Sequence, residues 1–346
     1  MSDVSGTPNY STKWSKHRDK KDEMALPDLS RPTLDTGLRI ASSRKPRGRK
    51  ATVTNPAQTV TPSLVAPQPF LKWAGGKRAL LADIRLRTPQ YTGKYIEPFL
   101  GAGALLFDQA PDARKVVSDY NKDLVEVYEV IRDDPEALLT ALRSHANNET
   151  HYYDVRAWDR SPDWATRPKV DRAARFIYLN KTNYNGLYRV NAAGQMNVPF
   201  GGQSNPDWVQ SDVIASVSDF LNQKASDGTF LTTILTGDYR LALAHAGAGD
   251  WVYLDPPYAD TFTHYQSGGF TVADQTALRD EVLKLTSKGV PVLLSNSDVP
   301  LIRELYGDTS VFHIDRVSVR RAIGATAASR GNVEEVMVNN YAAVGI

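Results

Sequence analysis

Cysteine is absent from the 346-residue sequence. That excludes disulfides, thiolate metal sites and cysteine nucleophiles, and it fits a reducing cytoplasm. Histidine is sparse. His17, His145, His151, His245, His264 and His313 are scattered without ligand-pair spacing, so no metal site is expected. No apolar run approaches the length of a membrane span, and the polar start lacks a signal-peptide core. A G-x-x-x-x-G-K-[ST] phosphate loop is also missing, which disfavours ATP as a ligand.

Charge is present but unevenly spread beneath a net +2. Residues 1–66 hold 12 Lys/Arg against 6 Asp/Glu, whereas the remaining 280 hold 29 against 33. A basic tail therefore precedes a slightly acidic body, and any polyanion held by the body must meet a local patch. The tail is rich in Ser, Thr, Pro, Lys and Arg without hydrophobic periodicity, a composition that predicts disorder. Its Arg44–Lys50 run centres on Arg47-Gly48-Arg49, which can lie in a narrow A·T minor groove like an AT-hook. Lys50 stands where that motif has proline, and a basic linker is the alternative.

From about Pro69 the pattern alternates. Strands are predicted at 94–99, 115–119, 229–235, 251–255, 290–296, 311–319 and 333–341, and helices at 123–132, 135–145, 274–287 and 299–306. Such alternation argues for an α/β sheet with parallel strands. A polar, aromatic stretch over 146–224, helical at 169–181, interrupts it and predicts a second lobe.

Three segments carry the chemistry. Trp251-Val252-Tyr253-Leu254 reads as a buried strand that stops at Asp255-Pro256-Pro257-Tyr258. Two prolines remove two donors and fix φ, leaving free carbonyls, a carboxylate and a ring at a strand end. This suits a planar, amino-bearing ring; a strand-ending turn is the plainer alternative. Glu97-Pro98-Phe99-Leu100-Gly101-Ala102-Gly103 is a strand entering a glycine turn, and Asp119 follows at the end of the next strand. Glycines of that kind admit a nucleoside at the carboxyl edge of a sheet, and a carboxylate about 20 residues later suits its ribose. Finally, Tyr184-Asn185-Gly186-Leu187-Tyr188-Arg189 and Asn197-Val198-Pro199-Phe200-Gly201 gather aromatic, amide and Arg side chains that can wedge between bases and read their edges. An ordinary polar loop has the same composition.

Taken in order, these segments, together with Phe70-Leu71-Lys72-Trp73-Ala74-Gly75-Gly76-Lys77, resemble the Dam-type (D12 class) DNA adenine-N6 methyltransferases. The resemblance spans about 69–341. It implies a Rossmann-like methyltransferase sheet built from 67–145 and 225–346, an inserted, mostly helical target-recognition domain at 146–224, and S-adenosylmethionine as methyl donor without a metal. Carried over, Trp73, Lys77, Phe99, Gly101, Gly103, Asp119 and Asp255 surround the cofactor. Tyr184 wedges into the duplex; Asn185, Leu187, Arg189 and Pro199 lie in the recognition region, with Lys72 near an outer base pair or a phosphate. The implied partner is double-stranded DNA, the implied target is GATC, and the setting is the cytoplasm of a prokaryotic or phage-infected cell. Gly202-Gln203 departs from the family, which often has an arginine shortly after Asn197–Gly201.

Within this resemblance Asp255 and the Pro256 carbonyl are expected to accept hydrogen bonds from a flipped adenine's N6, with Tyr258 stacking on the ring. Arg316, Arg320, Arg321 and Arg330 are candidate phosphate contacts, and 259–270 is expected to be mobile without DNA. RNA as substrate and a non-catalytic DNA-binding role are the rival readings.

Overall fold

The computed structural model describes residues 65–259, 269–321 and 331–341. The tail with its hook-like segment lies almost wholly outside them, as do Arg330 and residues 260–268. Only backbone is described for Arg320 and Arg321.

Seven strands form one sheet: β1 (Tyr95–Glu97), β2 (Lys115–Asp119), β3 (Thr232–Thr236), β4 (Trp251–Leu254), β5 (Val292–Ser297), β6 (His313–Arg321) and β7 (Gly331–Asn339). Their order is β3-β2-β1-β4-β5-β7-β6. β1 to β5 run parallel, and β7 enters antiparallel between β5 and β6. The predicted strands are all present, β2 with its predicted ends and the others with shifted ends. β1 stops two residues early because Pro98 has no N–H to continue the ladder; Leu100 N instead bonds the Ser118 carbonyl at 2.9 Å.

Among the described residues nine helices accompany the strands: α1 (Leu81–Arg87), α2 (Lys122–Asp133), α3 (Pro135–Arg143), α4 (Glu149–Arg156), α5 (Lys169–Thr182), α6 (Ser211–Leu221), α7 (Arg240–Leu243), α8 (Val272–Ser287) and α9 (Pro300–Leu305). Several start where a side chain meets orphan amides. Asn121 caps α2, Asp134 caps α3 with Pro135 in the first turn, and Thr271 and Asp274 form a capping box on α8.

Strand alternation sorts the core into two sides. Val116, Val252, Leu254, Leu294, Val336 and Val338 face α7, α8 and α9. Their neighbours Val117, Tyr253, Leu293 and Met337 face the other way, toward α2, α3, α5 and α6 at one end and α1 at the other. Helix α5 is buried nearly all round. Ala173, Ala174, Phe176 and Ile177 join α2, α3 and α6, whereas Tyr178 and Leu179 join a smaller cluster with α4, Met196 and Val198. The 146–224 stretch thus shares α5 and α6 with the layer covering the sheet and keeps a core of its own around α4.

Candidate active site

β1 pairs with β2 on one side and β4 on the other, so the sheet reverses its winding there. A crevice at the carboxyl ends of the strands at such a switch point is where open α/β sheets bind ligands. The ends of β1, β2, β4 and β5 bring Glu97, Asp119, Asp255 and Ser295 to this edge.

At the end of β4, Asp255 Oδ1 takes two contacts, Lys77 Nζ at 2.6 Å and the Ser295 hydroxyl at 3.0 Å. Ser295 in turn meets the Tyr253 hydroxyl at 3.0 Å. Lys77 opens the short turn before α1 and also donates to the Gly75 carbonyl at 2.6 Å. Both contacts fall on Oδ1, so Oδ2 is without a partner among the described residues. Burial raises the Asp255 carboxyl, and the Lys77 ammonium opposes that shift. The Pro256 carbonyl likewise accepts no hydrogen bond from the described residues, whereas the Pro257 carbonyl is taken by Gln275 Nε2 at 2.8 Å. Gln275 is braced by Asn296 Nδ2 at 3.2 Å, and Asn296 Oδ1 accepts from Ala259 N at 3.0 Å. The Asp255–Tyr258 loop is therefore clamped beside an open oxygen and a free carbonyl. Tyr258 is buried, its ring centroid 5.0 Å from Lys77 Nζ and its hydroxyl donating to Glu335 Oε2 at 2.6 Å.

Glu97 at the end of β1 is buried, and one of its oxygens has no partner. Burial, reinforced by the Asp255 charge, pushes it up to about 8, so it is neutral at pH 7.

Gly101 and Gly103 have φ of +51° and +71°. A Cβ at Gly101 would lie 2.9 Å from the Trp73 indole, and one at Gly103 would lie 2.8 Å from the Tyr128 hydroxyl. The turn is thus shaped for backbone alone. Asp119 accepts from Gly101 N at 2.9 Å through Oδ2 and from Asn121 N at 2.8 Å through Oδ1. Each oxygen keeps acceptor capacity for a diol. Trp73 stacks on Tyr188 at 5.5 Å, and Tyr188 on Phe176 of α5 at 5.2 Å. Phe99 stacks on Tyr239 at 5.4 Å, and the buried Tyr239 hydroxyl has no partner among the described residues. A glycine cradle, a carboxylate and flanking rings fit a nucleoside cofactor with vicinal hydroxyls.

The residues expected to read DNA gather on two paired segments. Tyr184 N bonds the Pro199 carbonyl at 3.0 Å, and Asn183 bridges Phe200. Tyr184 is 48% exposed, and Asn185 sits at φ +58°, a conformation asparagine tolerates. Arg189 Nε is aimed by Asn197 Oδ1 at 2.7 Å. Leu187 is half-buried against the α4 cluster. Lys72 joins this region through Asn180, which accepts from Lys72 N at 2.8 Å and donates to the Lys72 and Gly186 carbonyls at 2.8 and 3.2 Å. Residues 189–198 form a hairpin across the Val190–Met196 bridge, and beneath it Met196 N donates to Asp159 Oδ2 at 2.7 Å while the Met196 carbonyl accepts from Arg160 at 2.7 Å. Asp159 also pairs with Arg160 and, at 2.7 Å, with the buried Arg175. Gln203 turns inward, Nε2 donating to the Asn183 carbonyl at 2.9 Å. Arg316 pairs with Asp298 at 2.8 Å while its side chain stays 66% exposed.

Sequence reasoning missed Ser295, Glu335, Asp159 and the Tyr188–Phe176 stack. A signal existed for the first two. A Ser or Glu at an inward position of an otherwise apolar strand requires a polar partner.

The D12 class N6 adenine-specific DNA methyltransferase family matches this chain over residues 73–323. Type II methyltransferase M1.LlaDCHI of Lactococcus lactis subsp. cremoris is 41% identical over 281 residues, covering 79% of this chain and 95% of that protein. Type II methyltransferase M.MjaIII of Methanocaldococcus jannaschii is 36% identical, covering 79% and 99%. DNA adenine methylase of Escherichia coli strain K12 is 34% identical, covering 78% and 93%. With a switch-point site of this form and similarity over nearly the full length of these enzymes, the chain belongs to the D12 class of N6 adenine-specific DNA methyltransferases.

Proposed function

We propose that the chain methylates the N6 amine of an adenine turned out of duplex DNA, within GATC. The observation that carries this reading is the open Oδ2 of Asp255 beside the open Pro256 carbonyl, with the Tyr258 ring following in a clamped loop. Adenine's N6 lone pair is delocalised into the ring, so the amine is a weak nucleophile. Two fixed acceptors on its protons localise that lone pair as the nitrogen becomes tetrahedral and positive, an interaction strongest in the transition state. Lys77 and Ser295 hold Oδ1, which aims Oδ2, and the Lys77 ammonium opposes the upward push of burial on the carboxyl. Tyr258 stacks on the extruded base and offsets part of the few kcal/mol that unstacking costs.

S-adenosylmethionine, when bound, supplies an electrophilic methyl group on its sulfonium. Gly101 and Gly103 would let the turn's backbone come close to it, Asp119 would hold its ribose hydroxyls, and Trp73 and Phe99 would flank it. Catalysis is then largely alignment of the amine with that methyl group.

Tyr184, exposed on its paired loop, wedges into the space the adenine leaves. Arg189, Asn185, Leu187 and Pro199 read the flanking bases, and Lys72 approaches an outer base pair or phosphate. Gln203 is spent on Asn183, so the outer position loses the contact an arginine would make. The test is to express the chain in a host without adenine methylation and map N6-methyladenine across the genome. Methylation at GATC is expected, with tolerance at an outer base. Absence of methyladenine, or methylation at an unrelated sequence, overturns the reading.

A further inference from the structure

We infer that Glu335, 80 residues beyond Asp255 and on a different strand, is a positioning residue that holds the Tyr258 ring in its stacking pose; this rests on the base-stacking role proposed above.

Glu335 lies in the middle of the sheet. It is opposite Ser297 on β5 and Val317 on β6, and is 5% exposed. Alternation puts it on the same side as Met337, and hence on the side of Tyr253 and Leu293. Asp255 and Ser295, two residues beyond those, share that side. A carboxylate in this place is costly unless it is hydrogen-bonded, and Glu335 accepts the Tyr258 hydroxyl at 2.6 Å. Lys77 lies 5.0 Å from the Tyr258 ring centroid. The hydroxyl is held at one end of the ring, and the backbone at the other end is fixed by two prolines and by Gln275 on the Pro257 carbonyl. A tyrosine held at both ends has lost the rotation about its side-chain bonds that stacking would otherwise have to suppress. Phenylalanine would stack as well but could not be held this way.

The test is a double-mutant cycle read by single-turnover methyl transfer to unmethylated plasmid DNA. Glu335→Ala and Tyr258→Phe should each slow the step by roughly tenfold, the loss expected for a charge-assisted hydrogen bond. The double variant should be no slower than either single one. Glu335→Gln keeps an acceptor oxygen and should recover most of the rate. A merely structural role for Glu335 predicts additive losses and no selective rescue, and that result overturns the inference. So does an unchanged rate in Glu335→Ala. Tyr258→Ala separates the two levels. If it is slow while Glu335→Ala is normal, stacking stands and positioning falls; if it transfers at the normal rate, the stacking role itself falls.

Discussion

Asp255 carries two jobs on one carboxyl group. Oδ1 is structural, bound by Lys77 and Ser295, and in the proposed mechanism Oδ2 is left to the substrate. Asp255→Ala should lower kcat by roughly a hundredfold or more, the scale of removing one preorganised transition-state contact. The variant should stay folded and keep its DNA affinity, as measured by filter binding. A kcat within a few-fold of the parent would refute the role. Glu97 has a different, thermodynamic signature. Folding raises its carboxyl from the ordinary range to about 8. Between the unfolded and folded values the native state holds a proton that the unfolded chain has released, so stability falls as pH rises through that window. Glu97→Gln should remove this slope, raising Tm by roughly 2 °C or more at pH 9 with little change at pH 4. Melting curves at both pH values check it; equal shifts at the two would contradict it.

At the scale of elements, the 189–198 hairpin is held from below. Asp159 accepts from Met196 N and is flanked by Arg160 and the buried Arg175. Asp159→Ala would leave Arg175 without its counter-charge, a change that commonly costs about 3–5 kcal/mol. The expected outcome is a lower Tm and a KM for DNA raised roughly tenfold, with kcat at saturating DNA nearly intact. A drop in kcat at unchanged KM would separate the hairpin from DNA binding. The strands and helices α2, α3, α5, α8 and α9 were legible because their apolar patterns are strong and local. Helix α4 was not: its Tyr152 and Tyr153 sit among charged residues, and its start depends on Asn148 capping His151 N. Helix α6 has a clear apolar stripe at Ile214, Val217, Phe220 and Leu221, obscured by reading 146–224 as one polar lobe. The position of β7 was unreadable, since antiparallel insertion depends on pairings that no local pattern encodes. In the site, Asp255, Gly101 and Asp119 stood out through strand ends and glycines. The Lys77–Asp255 pair spans 178 residues of sequence, and only the folded sheet edge makes it a pair.

For the whole molecule, charge divides unevenly between residues 1–66, with 12 cations against 6 anions, and an acidic remainder. Attraction of such a tail to phosphates is sequence-independent and weakens with salt through counterion release. Removing 1–66 should therefore weaken DNA binding at moderate salt and flatten its salt dependence while leaving the methylated sequence unchanged. Fluorescence anisotropy over a salt series and methylation mapping measure the two halves. An unaltered salt slope would assign DNA attraction to the body alone.

Strand order also sets when the sheet can be completed during the chain's own synthesis. β7 follows every other strand of the sheet in the chain, yet it lies between β5 and β6. A ribosome that has made residues through β6 has produced Asp255 and Tyr258, but nothing yet joins β6 to β5 and Glu335 does not exist. Partly made chains therefore lack a continuous sheet until translation passes β7.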